Sequence, residues 1–386
     1  MKCSAVILTW LCTVLSAQVP DNSKGKNHKD DDRWIWGFVD ENKTDDRNLE
    51  VSSTTSSTID LGSPCPYYNP PKPSFKYPGR KISDEKCEEY KWDKIVEEER
   101  NRRTIECFEE LNKGKPMPPA AVGGRPTYQG EFPHMGAIGW KSVLGGYIFK
   151  CGSTLISHKF VLTAAHCSRA SSRDTALADA VPKIVRLNEK NLFFKTENSG
   201  YYHAEDVNIS RIIVHPGFKP PKKYFDIALM ELEMEVKFTW LMQPACLWTN
   251  SDVSELGHEA TLTGWGVLHA GSYDISPELQ AAVFNNINSS YCDQLLYSSR
   301  NRNWWGLQEH QLCAGILAGG VDACQGDSGG PLQVKQHIAG SRNESVYHVI
   351  GVTSFGIGCA LPNHPGIYTK VSSFIDWIEG YVWPQV

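Results

Sequence analysis

Three things are scarce in this 386-residue sequence. Its 12 cysteines include no C-x₂-C pair, so the paired thiolate spacing of a structural zinc site is missing. Basic charge is not in excess. The 39 Lys and Arg residues face 44 Asp and Glu, a net of −5, which argues against nucleic acid as a partner. Long apolar runs are confined to the start: after 5–15, no stretch of about 20 apolar residues follows that could span a bilayer. A hydrophobic fraction of 41% is still ample for a core, and the length exceeds one typical domain.

What is present begins with Met1-Lys2, the apolar run 5–15, and Ser16-Ala17. Together they read as a signal peptide over residues 1–17, with a single-pass anchor as the alternative. Removing Cys3 and Cys12 with it leaves ten cysteines, an even number that in an oxidising compartment predicts five disulfides. Sequons at Asn42, Asn208, Asn288 and Asn343 fit the same secretory route. The expected protein is secreted and extracellular, with no membrane partner.

Residues 18–64 are expected to be disordered, with a charge-dense run at 24–32 and a Ser/Thr tract at 51–58. Trp34-Ile35-Trp36 interrupts that pattern as an isolated apolar patch or a docking site. The stretch 64–78, rich in Pro and Tyr, should be extended. Ser83-Asp84-Glu85-Lys86 opens a helical pattern, and a short helix with a solvated face is expected within 83–112. Lys115-Pro116-Met117-Pro118-Pro119-Ala120 cannot be regular structure and is an exposed, cleavable segment. From Val122 onward, short β-branched and aromatic runs alternate with turn residues, for example 159–162, 183–187, 211–214, 260–263 and 348–353. That spacing fits an all-β barrel architecture. The stretch 371–382 reads as a terminal amphipathic helix.

The chemistry centres on Asp322-Ala323-Cys324-Gln325-Gly326-Asp327-Ser328-Gly329-Gly330-Pro331. A serine among glycines can sit on a tight turn, with backbone N–H groups crowded toward a substrate carbonyl. Serine is a weak nucleophile and needs a base, itself oriented by a third group. Candidates lie upstream in Thr163-Ala164-Ala165-His166-Cys167 and Asp226-Ile227-Ala228-Leu229. Taken singly, Ser328, His166 and Asp226 could be a turn residue, a core histidine and a loop cap. In the order His, Asp, Ser they form a catalytic constellation.

These motifs together resemble the trypsin/chymotrypsin-type serine endopeptidases, over residues 121 to about 383. Ala121-Val122-Gly123-Gly124, Gly130-Glu131-Phe132-Pro133-His134-Met135 and Lys86-Cys87-Glu88-Glu89-Tyr90 resemble, more narrowly, arthropod clip-domain proteases of the snake type. An intact clip domain has six cysteines. Here Cys65, Cys87 and Cys107 alone precede the protease region once the signal is removed, so the clip is missing or degenerate.

The resemblance implies two packed six-stranded antiparallel β-barrels with a C-terminal helix, preceded by a largely irregular propeptide. It divides the chain into a signal (1–17), a propeptide or light chain (18–120) and a protease domain (121–386). It implies His166, Asp226 and Ser328 as catalytic residues, with the N–H groups of Gly326 and Ser328 as the oxyanion hole. Asp322 would floor a pocket for Arg or Lys, with Gln325, Ser354, Phe355, Gly356 and Gly366 around it; Phe355 stands where the family usually has tryptophan. Activation would separate Ala120 from Ala121, whose new amino group would pair with Asp327. Implied disulfides are Cys151–Cys167, Cys292–Cys313, Cys324–Cys359 and Cys107–Cys246, which leaves Cys65–Cys87. No cofactor is expected. Calcium is the exception considered, at Glu189 with Glu205 or Asp206. Implied partners are protein substrates, an upstream activating protease and serpin-type inhibitors, in an arthropod extracellular cascade. A venom or salivary protease, or a catalytically silent homologue, are the alternatives.

Overall fold

The structure, a computed structural model, describes residues 65–111, 130–193, 204–267, 275–319, 326–342, 344–358 and 361–384. The expectations for 1–64, including the signal, Trp34-Ile35-Trp36 and Asn42, and for the segment 112–129, lie outside them. Among the described residues no helix is long and apolar enough to cross a membrane.

The first described element is α1 (Ile82–Leu111), a 30-residue helix where a short one was expected. Its apolar content is low, and its length is carried by charge pairs one turn apart. Lys86–Glu89, Lys91–Glu88, Arg102–Glu99, Arg103–Glu99 and Arg102–Glu106 all lie three or four positions apart. Among its described side chains, Ser83, Cys87, Tyr90 and Val96 are buried, all in the first half, with Ser83, Cys87 and Tyr90 on one face and Val96 off it. Tyr90 Oη donates to the Ile156 carbonyl at 3.0 Å, and Ser83 Oγ donates to Glu379 at 2.6 Å.

Six strands then close a barrel. They are β1 (Met135–Lys141), β2 (Tyr147–Leu155), β3 (Phe160–Thr163), β4 (Ile184–Leu187), β5 (Glu205–Val214) and β6 (Ala228–Leu232). Their order around the barrel is β1-β2-β3-β6-β5-β4. The short β7 (Cys246–Leu247) leads to a second ring of β8 (Glu259–Gly264), β9 (Gln280–Asn286), β10 (Gln311–Gly315), β11 (Pro331–His337), β12 (Ser345–Phe355) and β13 (Gly366–Lys370). Here the order is β11-β8-β9-β10-β13-β12, closed by β11 on β12, with β7 added parallel to β12. Closure leaves neither six-strand ring an open edge. Helix α2 (Ser289–Leu295) is capped by Asn288, whose side chain accepts from the N–H groups of Ser290 and Tyr291. Helix α3 (Ile375–Val382) buries Ile375, Ile378 and Val382 in the first barrel's core, at the spacing expected of an amphipathic helix.

Four disulfides join described residues: Cys65–Cys107, Cys87–Cys246, Cys151–Cys167 and Cys292–Cys313. The last two are as the resemblance implied. The first two correct it, since Cys107–Cys246 and Cys65–Cys87 were expected. The reason is the length of α1. Twenty residues of helix put Cys107 about 30 Å from Cys87. Cys87 is buried against β7, while Cys107 lies near the far end, where Cys65 reaches it. The strip between is held by Arg100 and Arg103 over the rings of Tyr67 and Tyr68, at 4.5 and 3.9 Å. Cys324 and Cys359 lie outside the described residues.

Two buried imidazoles carry a stability consequence. Burial pushes His134 down to about 3, against small opposing help from Gln333. It pushes His348 down to about 4. Both nitrogens of His348, and Nε2 of His134, find no hydrogen-bond partner among the described residues. A depressed folded-state pKa means the unfolded chain takes up the proton first. Stability is therefore full above about pH 6.5 and falls as pH drops below it. Urea unfolding at pH 7 and pH 5 should show a loss of up to about 2 kcal/mol per histidine, and His348→Gln should flatten the dependence. A pH-independent midpoint would contradict this.

Candidate functional site

Of the residues singled out by sequence, His166, Asp226 and Ser328 lie where the barrels meet. His166 lies in the single 3₁₀ turn that follows β3 (Ala165–Ser168). The Cys151–Cys167 bridge fastens that turn to β2. Asp226 lies just before β6 and is 1% exposed. Ser328 lies just before β11. Its carbonyl accepts from Gly152 N–H of β2 at 2.8 Å, so the serine loop of the second barrel is bonded to the first.

The geometry around Asp226 is closed. Oδ2 lies 2.8 Å from His166 Nδ1, and Oδ1 accepts from the His166 backbone N–H at 2.9 Å. Ser354 Oγ donates to Oδ2 at 2.5 Å, and Thr369 Oγ1 donates to the Asp226 carbonyl at 2.8 Å. Burial by itself would raise this carboxyl. The charge and hydrogen bond of His166, with the Ser354 hydroxyl, outweigh that and hold it below the usual carboxylate range. It is therefore ionised, so His166 Nδ1 carries the proton and Nε2 is left as the base.

The serine turn is fixed by its glycines. Gly326 has φ +107°, and a Cβ there would lie 2.9 Å from Gly266 Cα and 3.0 Å from the Trp265 carbonyl. Gly329 has φ +78°, and its Cβ would lie 2.2 Å from Thr163 Oγ1. The two glycines bracket Ser328, and the N–H groups that follow it are spent inside the fold, Gly329 on the Thr353 carbonyl at 2.8 Å and Gly330 on the Asp327 carbonyl at 2.9 Å. Asp327 is buried and accepts from Gly266 N–H at 2.8 Å. A Cβ at Gly264 or Gly266 would fall within 2.2 Å of its carboxylate.

Of the expected pocket residues, Phe355 meets Trp304 edge-on at 5.8 Å, with Lys223 Nζ 5.5 Å from its ring centre. Gly366 opens β13 with Tyr368 behind it, and Gly356 is exposed. Ser354, expected as pocket wall, gives its hydroxyl to Asp226. Asp322 and Gln325, with Ala120 and Ala121, lie outside the described residues. Sequence reading missed Thr369, which sits 143 positions from its partner Asp226, and no local motif marks it. The sequons Asn208 and Asn288 are exposed; Asn343 lies outside the described residues.

Two of the three residues considered for calcium, Asp206 and Glu189, have partners within the protein. Both oxygens of Asp206 are held by Arg186, at 2.6 and 2.7 Å, and Glu189 accepts from Asn191 N–H. Arg186 already supplies the positive charge there. The described Cys/His groups are Cys87 and Cys246 with His348, and Cys151 and Cys167 with His166. Each is a disulfide beside an imidazole, with no thiolate to offer.

The serine turn generates a test. Gly340 shares a positive φ (+91°) but a Cβ there meets nothing within 4 Å. Gly329→Ala should lower unfolding free energy by roughly 2–5 kcal/mol, and Gly340→Ala by about 1 kcal/mol. Equal losses in denaturant titrations would show that the close approach to Thr163 is not what fixes the turn.

Comparison with known proteins bears on the same residues. The family described as trypsin matches residues 121–378. The serine protease Hayan of Drosophila melanogaster is 36% identical, over 74% of this chain and 43% of its own length. The serine protease snk of the same organism is 38% identical, over 70% and 58%. The CLIP domain-containing serine protease B4 of Anopheles gambiae is 31% identical, over 71% and 74%. The chain thus spans about half the length of the first two relatives.

Proposed function

Because the chain belongs to the trypsin family of serine proteases, we propose that it is the secreted zymogen of an endopeptidase that hydrolyses peptide bonds after Arg or Lys. The observation that carries the reading is the buried, ionised Asp226 bonded to His166 Nδ1, with Ser328 held by Gly152 beside the same turn. Ser328 Oγ attacks the scissile carbonyl carbon as His166 Nε2 takes its proton. Collapse of the tetrahedral adduct breaks the C–N bond, and the same proton leaves on the amine. Water, deprotonated by His166, then frees the acid and restores Ser328. The Gly326 and Ser328 N–H groups hold the oxyanion, worth roughly 3–4 kcal/mol per donor. Asp226 fixes the imidazole tautomer and supports its cation.

Asp322 at the pocket floor would select a cationic side chain by a charge-assisted contact. Amide substrates with arginine at the cleaved position should be turned over and those with phenylalanine or leucine ignored, with Ser328→Ala abolishing turnover. Preference for aromatic residues in a mixed peptide library would overturn the assignment.

Activation is assigned to cleavage between Ala120 and Ala121, after which the light chain stays attached through Cys87–Cys246. The signal, the sequons and the disulfides support secretion, and the arthropod relatives support a role in an extracellular proteolytic cascade. The activating enzyme would be a different protease, because Ala120 offers nothing cationic to Asp322. Purified zymogen incubated alone at high concentration should therefore generate no new Ala121 terminus. Its appearance, abolished by Ser328→Ala, would refute this part.

A further inference from the structure

The residue before Asp226 is Phe225, and its φ is +56°. A left-handed backbone is strained for a bulky side chain and persists only where the surroundings hold it. The Ile227 N–H closes back on the Phe225 carbonyl at 2.9 Å, so Asp226 sits at the apex of a three-residue turn. Rotation about Phe225 would swing the carboxylate away from His166.

Two imidazoles clamp the Phe225 ring. His310 stacks on it with centroids 4.3 Å apart and planes 16° off parallel, and His215 at 5.5 Å and 5°. The edge of Phe374 meets all three rings. Gly217 leaves room for the ring, since a Cβ there would lie 2.8 Å from Phe225 Cγ. The backbone is held as well: Phe225 N–H donates to His310 Nε2 at 3.3 Å, and Gly217 N–H donates to His215 Nδ1 at 3.1 Å.

An imidazolium nitrogen cannot accept, so both contacts require neutral rings. The surroundings favour that state. Burial lowers the pKa of His215 and of His310, and His215 lowers His310 further. The groups facing His215 are Phe225, Phe374 and Trp377; those facing His310 are Phe225, Phe374 and Tyr224. Among the described residues no carboxylate acts on either.

We infer that His310, through its stack and hydrogen bond on Phe225, is a positioning residue for Asp226. It holds the left-handed turn that delivers the carboxylate to His166. The inference rests on Asp226 belonging to the catalytic triad, and that assignment is checked separately by the loss of activity in Ser328→Ala.

Three variants of the activated protein test it, with folding followed by melting and near-ultraviolet circular dichroism. His310→Leu removes the acceptor and the polar stack. It should lower kcat about tenfold or more with KM within about twofold, because only alignment is lost. The acid limb of kcat/KM should also move to lower pH, since a displaced Asp226 supports the His166 cation less. His310→Gln, whose amide oxygen can replace Nε2 as acceptor, should recover most of both changes. Gly217→Ala, which crowds Phe225 without touching His310, should reproduce the loss. A readout independent of turnover is the downfield proton resonance of His166 Nδ1–H in the Ser328→Ala protein. It should broaden or vanish in His310→Leu and persist in His310→Gln. If folded His310→Leu keeps that resonance unchanged, or keeps wild-type kcat and acid limb, the inference is wrong.

Discussion

A carboxylate with 1% of its surface exposed must have its charge met from inside the protein, and the arrangement around Asp226 follows from that requirement. Two of its partners come from the turn after β3, through the backbone and side chain of His166. Ser354 at the end of β12 supplies a third, and Thr369 of β13 bonds its carbonyl. The first two belong to one barrel and the others to the second. Satisfying one buried charge therefore fixes how the two barrels meet, and the hydrogen bond from Gly152 to the Ser328 carbonyl sets the serine loop against the same seam. An unpaired charge in that place would cost several kcal/mol, which is why the donors are as much a part of the fold as of the site.

Helix α1 is a second organising feature. It is long and charged, and by itself would bury little. What holds it is a set of contacts to distant parts of the chain: Cys87 to Cys246, Tyr90 to the Ile156 carbonyl, Ser83 to Glu379, Lys81 to Asp376. The exposed ion pairs add little each, whereas the disulfide and the buried tyrosine contribute more. The distal half of the helix is instead stapled to its own upstream strip by Cys65–Cys107. Two disulfides and one helix thus organise the region where the cysteine count already ruled out an intact clip.

Much of this was legible in the sequence because it is written locally. Alternating β-branched and aromatic runs marked the strands at 183–187, 260–263 and 348–353, which overlap β4, β8 and β12. The short motifs around His166, Asp226 and Ser328 announced their chemistry, and two disulfides followed from the resemblance those motifs carry. The length of α1 was less legible. Its buried face ends at Tyr90, and the later turns carry ion pairs that read as solvated charge.

By itself, then, the sequence determined the residue types the chemistry needs, their order along the chain and the period of the strands that carry them. These depend on neighbours a few positions apart. Only the tertiary structure decided which cysteine of α1 pairs with Cys246, that Ser354 serves Asp226 as a donor, and that Phe225 is clamped by His215 and His310. Each of those depends on residues far apart in the chain meeting at a few ångströms. Cys107 is as good a thiol as Cys87, but a rigid helix carries it about 30 Å away from the partner it would need.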